Sequence, residues 1–287
     1  MRVKIVVDAT ADMTPAVESR VKMVPLTVHF GEKEYTSRVD IDGKTFYEML
    51  VESDTLPTTS QATPFAFANA FAEVLEEDVE VVCLTCAAKL SGTHQSAVIA
   101  AEDYEGRVHV LDSGTIAIGL GILTEYALEL ADKGLSAEEI IRKLEHKRAD
   151  IRVLALVDTL EYLKKGGRIS SMAAVAGGLL NIKPVLTIQD GEIKLLGKAR
   201  GSRQGNNLLV QEIGKAGGVD FEKPLMLGYT GLSDSLLQKY IADSASLWEN
   251  NRDRLPISII GSVVGTHVGP GAVAVAFFAA EKERNSL

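Results

Sequence analysis

The chain has 287 residues, 46% apolar and 24% charged, with a net charge of −9. This is the composition of a globular protein large enough for two domains of ordinary size. The acidic balance excludes the electrostatic footprint of nonspecific nucleic-acid binding, and no apolar run approaches the ~18 residues of a membrane span.

In chain order, Val3 to Val7 is a continuous apolar strand suited to burial on both faces of a parallel sheet. It begins so close to Met1 that no signal peptide fits ahead of it, which predicts a cytoplasmic protein without stable membrane insertion. Asp8-Ala9-Thr10-Ala11-Asp12 follows and reads as an Asx turn and cap; without a further acidic partner in the loop, a metal or phosphoacceptor role is weakly supported. Val21 to Phe30 is a second extended segment, and Thr45 to Val51 and Pro64 to Leu75 read as helices, the latter capped by Thr63 with Pro64 in the first position. Val79 to Thr85 is a strand leading through Ser91-Gly92-Thr93 into an alanine-rich helix ending near Ala101. Cys83 and Cys86 form a CxxC, but residues three apart on a strand face opposite ways. Two cysteines also cannot complete a four-ligand zinc site, so both read as small core side chains. Val108 to Asp112 is a short strand, followed by a glycine-containing helix through Leu130.

Ser136 to Glu139 is a capping box ahead of a helix ending near Arg148, and Val153 to Val157 is the next strand. Asp158 to Glu161 reads as a second capping box, with Gly166-Gly167 as the helix stop. The texture then changes. Ile193 to Leu196 and Leu225 to Leu227 read as strands, Leu236 to Trp248 as one long helix, and Ile257 to Val264 and Ala272 to Phe278 as closing strands. The expected fold class is α/β with two α/β domains, residues 1–156 and 157–287, the first a mostly parallel doubly wound sheet. In such sheets ligands bind beyond the C-terminal ends of the strands, where Asp8 to Asp12, Ser91 to Thr93 and Asp112-Ser113 all fall.

Thr59-Ser60-Gln61 and Ser91-Gly92-Thr93 each follow an extended stretch and are expected to open a helix. Helix N-termini leave unpaired N–H groups that favour anions, so two such loops can converge on one carboxylate or phosphate. Each loop also reads as an ordinary turn or cap when taken alone. Gly265 to Gly271 is expected as a glycine-rich loop between apolar strands that brings His267 to a ligand. Lys164, Lys165 and Arg168, and further on Lys194, Lys198, Arg200 and Arg203, form basic groups that serve either as solvated faces or as a functional patch. A serine hydrolase would need a base beside Ser91; only His267 could serve, and no orienting acid or nucleophile elbow accompanies them.

Taken together and in this order, these segments resemble the DegV family of bacterial fatty-acid-binding proteins. The resemblance rests on Asp8 to Asp12, Thr59-Ser60-Gln61, Leu90 to Thr93, Asp158 to Ile169, Leu180 to Pro184 and Gly265 to Gly271, and covers essentially the whole chain. Ala62 and His94 depart from the family's usual proline and tyrosine, and neither removes a hydroxyl ligand of the carboxylate. The resemblance implies a long-chain acyl group buried between two domains and no other cofactor. Its carboxylate would be held by Thr59 and Ser91, with Ser60, the Gly92 N–H and His267 nearby. It further implies a carrier rather than an enzyme, with a fatty acid kinase subunit as partner that converts the bound acid to acyl phosphate for phospholipid synthesis. Arg168 and Arg200 match the basic residues facing that kinase. Phe65, Phe67 and Phe71, and the stretch Ala173 to Leu180, are candidate tail-lining residues. The rival readings are a hydrolase or phosphotransferase built on Ser91 and His267, and a fatty-acid-sensing regulator.

Overall fold

The computed structural model describes residues 2–169, 181–248, 251 and 254–280. Its first part runs β1 (Arg2–Asp8), α1 (Pro15–Glu18), β2 (Lys22–Val24), β3 (Thr27–Phe30), β4 (Lys33–Thr36), α2 (Gly43–Glu52), β5 (Thr58–Ser60), α3 (Pro64–Val74), β6 (Val79–Thr85), α4 (Thr93–Ala101), β7 (Val108–Asp112), α5 (Ile118–Asp132) and α6 (Ala137–Lys147). The remainder runs β8 (Ile151–Leu156), α7 (Glu161–Lys165), β9 (Ile182–Gln189), β10 (Glu192–Arg200), α8 (Gly201–Lys215), β11 (Leu225–Tyr229), α9 (Ser235–Asp243), α10 (Ala245–Trp248), β12 (Ile257–Ile259), α11 (Ser262–Val268) and β13 (Val273–Phe278).

The fold is α/β. A four-stranded sheet ordered β2-β1-β6-β7 is parallel throughout, as the unbroken apolar strands require. A six-stranded sheet ordered β10-β9-β8-β13-β11-β12 is antiparallel except for β11 with β12, and β4-β3-β5 form a small antiparallel sheet. Helix α5 joins the two larger sheets. It is buried on almost every face, its Ile118, Leu120 and Ile122 are fully covered, and one apolar core runs from Val7 and Leu84 across it to Met226, Ala276 and Phe278. A helix that is apolar all round belongs in such an interior rather than on a surface.

Several elements differ from the sequence expectations. The strand at 151–156, grouped with residues 1–156, pairs along its whole length with β13, Val273 opposite Leu156 and Phe278 opposite Ile151, and so belongs to the six-stranded sheet. Val21 to Phe30 is two strands in two different sheets. Residues 262–268, expected as the end of a strand and a glycine loop, form helix α11. Its bonds include Gly265 N–H to Gly261 O at 2.8 Å and Gly269 N–H to Gly265 O at 2.8 Å. Here close packing on α2 overrides the strand preference of Val263 and Val264: a Cβ on Gly265 would lie 2.6 Å from the Tyr47 hydroxyl. The long helix expected over Leu236 to Trp248 breaks at Ser244, whose hydroxyl donates to Tyr240 O at 2.6 Å and accepts from Trp248 Nε1 at 2.9 Å. Strands β4 and β9 and helix α8 had no counterpart in the sequence reading.

The Ser136 capping box is present with both reciprocal bonds. The second expected box is not: α7 begins after Leu160, and it is Thr159 Oγ1 that accepts from the Glu161 N–H at 3.1 Å. Cys83 and Cys86 are buried free thiols, both pushed well up in pKa by burial and, secondarily, by Asp8. The Asx turn forms as expected, with Thr10 N–H and hydroxyl donating to Asp8 Oδ1 at 2.9 and 2.6 Å.

Candidate functional site

The candidate residues lie on β5, on the segment ahead of α4, just after α7 and on the last turn of α11, which packs on both β5 and α7. Thr59 sits in the middle of β5, pinned by β3 through its pairing with Val28. Thr59 Oγ1 and His267 Nε2 are 2.8 Å apart, which joins β5 to the last turn of α11. His267 Nδ1 is buried without a hydrogen-bond partner among the described residues. A Cβ on Gly166 would stand 2.3 Å from that nitrogen, so only glycine lets α7 approach the imidazole. Two residues on, Arg168 donates through Nη1 to Gly166 O at 2.7 Å and through Nε to Leu90 O at 3.3 Å. This brings the guanidinium against the segment that carries Ser91.

Ser91 lies just ahead of α4. Its hydroxyl accepts from Thr93 N–H at 3.2 Å and pairs with Thr93 Oγ1 at 2.9 Å, while the helix N-cap itself is Gly92. Thr93 Oγ1 in turn accepts from Ala62 N–H at 3.3 Å. Gln61 closes the ring: its Nε2 donates to Ser96 Oγ at 3.1 Å, and a Cβ on Gly92 would fall 2.0 Å from its Oε1. The end of β5 that carries Thr59 is thereby locked onto the start of α4 that carries Ser91. Gln61 and Gly166 were not singled out as site residues in the sequence, and Thr93 was expected only to offer its N–H to an anion. Thr93 and Gln61 stood inside the quoted motifs, but their role depends on a contact between segments 31 residues apart.

Contacts thus link the segments of Thr59, Ser91, Gly92, His267 and Arg168 to one another. Ser60, expected beside the carboxylate, faces away, and Arg200, expected to face a kinase, stands apart from this group. Ser60 alternates to the opposite face of β5, where its exposed hydroxyl bonds His29 Nε2 at 2.8 Å. Because Thr59-Ser60 lies in a strand and the following helix starts only at Pro64, this loop supplies no helix N-terminus to an anion. Arg200 ends β10 on an exposed site opposite Ile182, its N–H donating to Gln204 Oε1 at 3.1 Å. Among the described residues, no bond of the Thr59–His267–Arg168 group reaches it. Of the candidate tail-lining residues, Phe65 is 73% exposed, whereas Phe67 and Phe71 are buried against each other in the core beneath α3. Ala173 to Leu180 lie outside the described residues.

Burial, and then the Arg168 charge, pushes the His267 pKa down to about 4. The imidazole is therefore neutral at neutral pH, and the fixed positive charge of the site is Arg168. The Ser91 hydroxyl is engaged with Thr93 rather than with His267, whose Nε2 meets Thr59. The depressed histidine pKa makes a measurable prediction. An unfolded histidine binds its proton below about 6.5 and the folded one only below about 4. Stability from this group therefore rises as pH climbs between those values, and is full above the upper one. Denaturant melts of wild type and His267→Asn should diverge with pH, wild type gaining on the order of 3 kcal/mol over the variant between pH 4 and 7. Parallel curves would show that His267 titrates normally.

The two sheets and the helix they share define an α/β protein, with a part-buried group of hydroxyls, an imidazole and a guanidinium linked across four segments. The chain belongs to the DegV family, whose model ("Uncharacterised protein, DegV family") matches residues 2–280. A DegV domain-containing protein of Deinococcus radiodurans is 36% identical over 284 residues, covering 96% of this chain and 98% of the relative. Among solved structures, a fatty-acid-binding DegV family protein from Thermus thermophilus superposes with a TM-score of 0.85 at 31% identity, covering 98% of this chain and all of its own. A stearic-acid-binding protein from Eubacterium ventriosum gives 0.83 at 28% identity, with 96% and 97% covered.

Proposed function

We propose that the chain binds a long-chain fatty acid, its carboxylate received by Thr59, Ser91, the Gly92 N–H and Arg168 with His267 behind Thr59, and its tail buried between the two domains. The observation that carries this reading is the chain of contacts that ties hydroxyls, a neutral imidazole and a guanidinium together from four separate segments. The fatty-acid-binding function of the Thermus and Eubacterium proteins supports it. Burying the tail supplies ~0.8 kcal/mol per methylene, roughly 10 kcal/mol for sixteen carbons before ordering losses. An unpartnered carboxylate would cancel much of that gain. In the tautomer with its single proton on Nε2, neutral His267 donates to Thr59 Oγ1 and acts on the anion through it: the Thr59 hydroxyl proton is then free to point at the carboxylate, and Arg168 supplies the countercharge.

In this reading the chain is a cytoplasmic carrier without turnover of its own. It presents the carboxylate to a separate fatty acid kinase for conversion to acyl phosphate, and exposed Lys164 and Lys165 beside Arg168 form the cationic rim that such a partner and its phosphates would meet. Titration calorimetry with palmitate and with methyl palmitate tests the head-group assignment. Palmitate should bind at least about tenfold tighter, because the ester lacks the charge that strengthens each hydrogen bond. Equal affinity would reject it.

A further inference from the structure

Helix α11 carries His267 at one end and is anchored at the other by a residue far from it in sequence. Gly261, its N-cap, donates its N–H to Asp12 Oδ1 at 2.9 Å. Asp12 is fully buried, and Arg38 Nη2 bonds the same oxygen at 2.7 Å while also reaching Ala11 O. Arg38 Nη1 lies 3.4 Å from Glu18 Oε1. One residue before Gly261, Ile260 O accepts from the Tyr47 hydroxyl at 2.9 Å. Between these anchors and His267, Gly265 seats the helix so closely on α2 that a Cβ would meet Tyr47 and Phe46 at 2.6 and 2.8 Å. The helix is a short strut with no slack.

We propose that Asp12 is a positioning residue for His267: it fixes the N-terminal end of α11 to the parallel-sheet unit and so sets where the imidazole stands against Thr59. The inference rests on the head-group site described above. A buried carboxylate is kept ionised only by strong partners. Burial pushes Asp12 up to about 6, opposed by the Arg38 charge and the Gly261 N–H. Asp12 Oδ2 has no hydrogen-bond partner among the described residues, so all of the carboxylate's recorded bonding is directed at the α11 anchor and its arginine.

The test compares wild type with Asp12→Ala, Asp12→Asn and Gly261→Pro. The Gly261 φ of −68° suits proline, which removes the N–H and sets its ring against Asp12 Oδ1, so that it breaks the anchor by steric exclusion as well as by loss of the bond. Each variant is held well below its melting temperature. Two quantities are read: palmitate affinity by calorimetry, and the His267 ring-nitrogen resonances in 15N-histidine-labelled protein. Asp12→Ala and Gly261→Pro should both displace the His267 resonances and weaken palmitate about tenfold. Asp12→Asn, which keeps an acceptor for Gly261, should recover most of both. Unchanged His267 resonances in Asp12→Ala and Gly261→Pro would overturn the proposal whatever happens to stability. If wild type fails to bind palmitate, the proposed function falls, and the resonances still decide the positioning role.

Discussion

Thr59→Val combined with Ser91→Ala should weaken palmitate binding by about 100-fold or more while leaving the fold intact. Neither hydroxyl supports the core: both are only partly buried, and their bonds run to His267 for Thr59 and to Thr93, two residues on, for Ser91. Each hydrogen bond to a charged group contributes about 1.5–3 kcal/mol, and two lost together amount to at least two decades in affinity. Valine keeps the volume of threonine, so Thr59→Val changes chemistry rather than packing. Calorimetry decides the outcome, with the melting temperature as control for folding. Affinity within threefold of wild type in the double variant would remove the carboxylate from this place.

The second large effect falls on the shared helix. Gly121→Ala should lower stability by on the order of 2–3 kcal/mol, a drop in Tm of about 5–10 °C. Alanine ordinarily gains up to ~1 kcal/mol over glycine inside a helix. At position 121, however, a Cβ would lie 2.0 Å from the backbone oxygen of Asp12, an atom that cannot swing aside. Steric exclusion therefore wins, and α5 must back away from the loop that anchors α11. Gly214→Ala, in α8 with nothing within 4 Å of the added carbon, is the matched control and should be neutral or slightly stabilising. Equal melts for Gly121→Ala and wild type would mean that α5 is not packed this tightly.

The sequence was most legible where a local rule acts alone. The parallel strands, the Thr63 and Ser136 caps and the Asx turn at Asp8 all follow from residues within a few positions of one another. It was least legible where a distant partner decides. Val263-Val264 carries a strand preference, and only the face of Phe46 and Tyr47 against Gly265 makes it helical. Strand β8 reads like its predecessors, but its partners β9 and β13 lie further on in the chain and assign it to the other sheet. Within the site, residue types were readable and directions were not. Ser60 and Thr59 look equivalent in sequence, and only the pairing of β5 with β3 turns one hydroxyl toward His267 and the other toward His29. The low pKa of His267 is likewise invisible in the sequence, because it comes from burial and from an arginine 99 residues away.

The central claim is that the cleft at Thr59, Ser91, His267 and Arg168 exists to hold an acyl carboxylate. Mass spectrometry of the organic extract from freshly purified, denatured protein tests it most directly. The extract should contain long-chain fatty acid approaching one molecule per chain, and protein stripped of lipid should take up added palmitate to the same level. Protein that releases no fatty acid and accepts none would contradict the account.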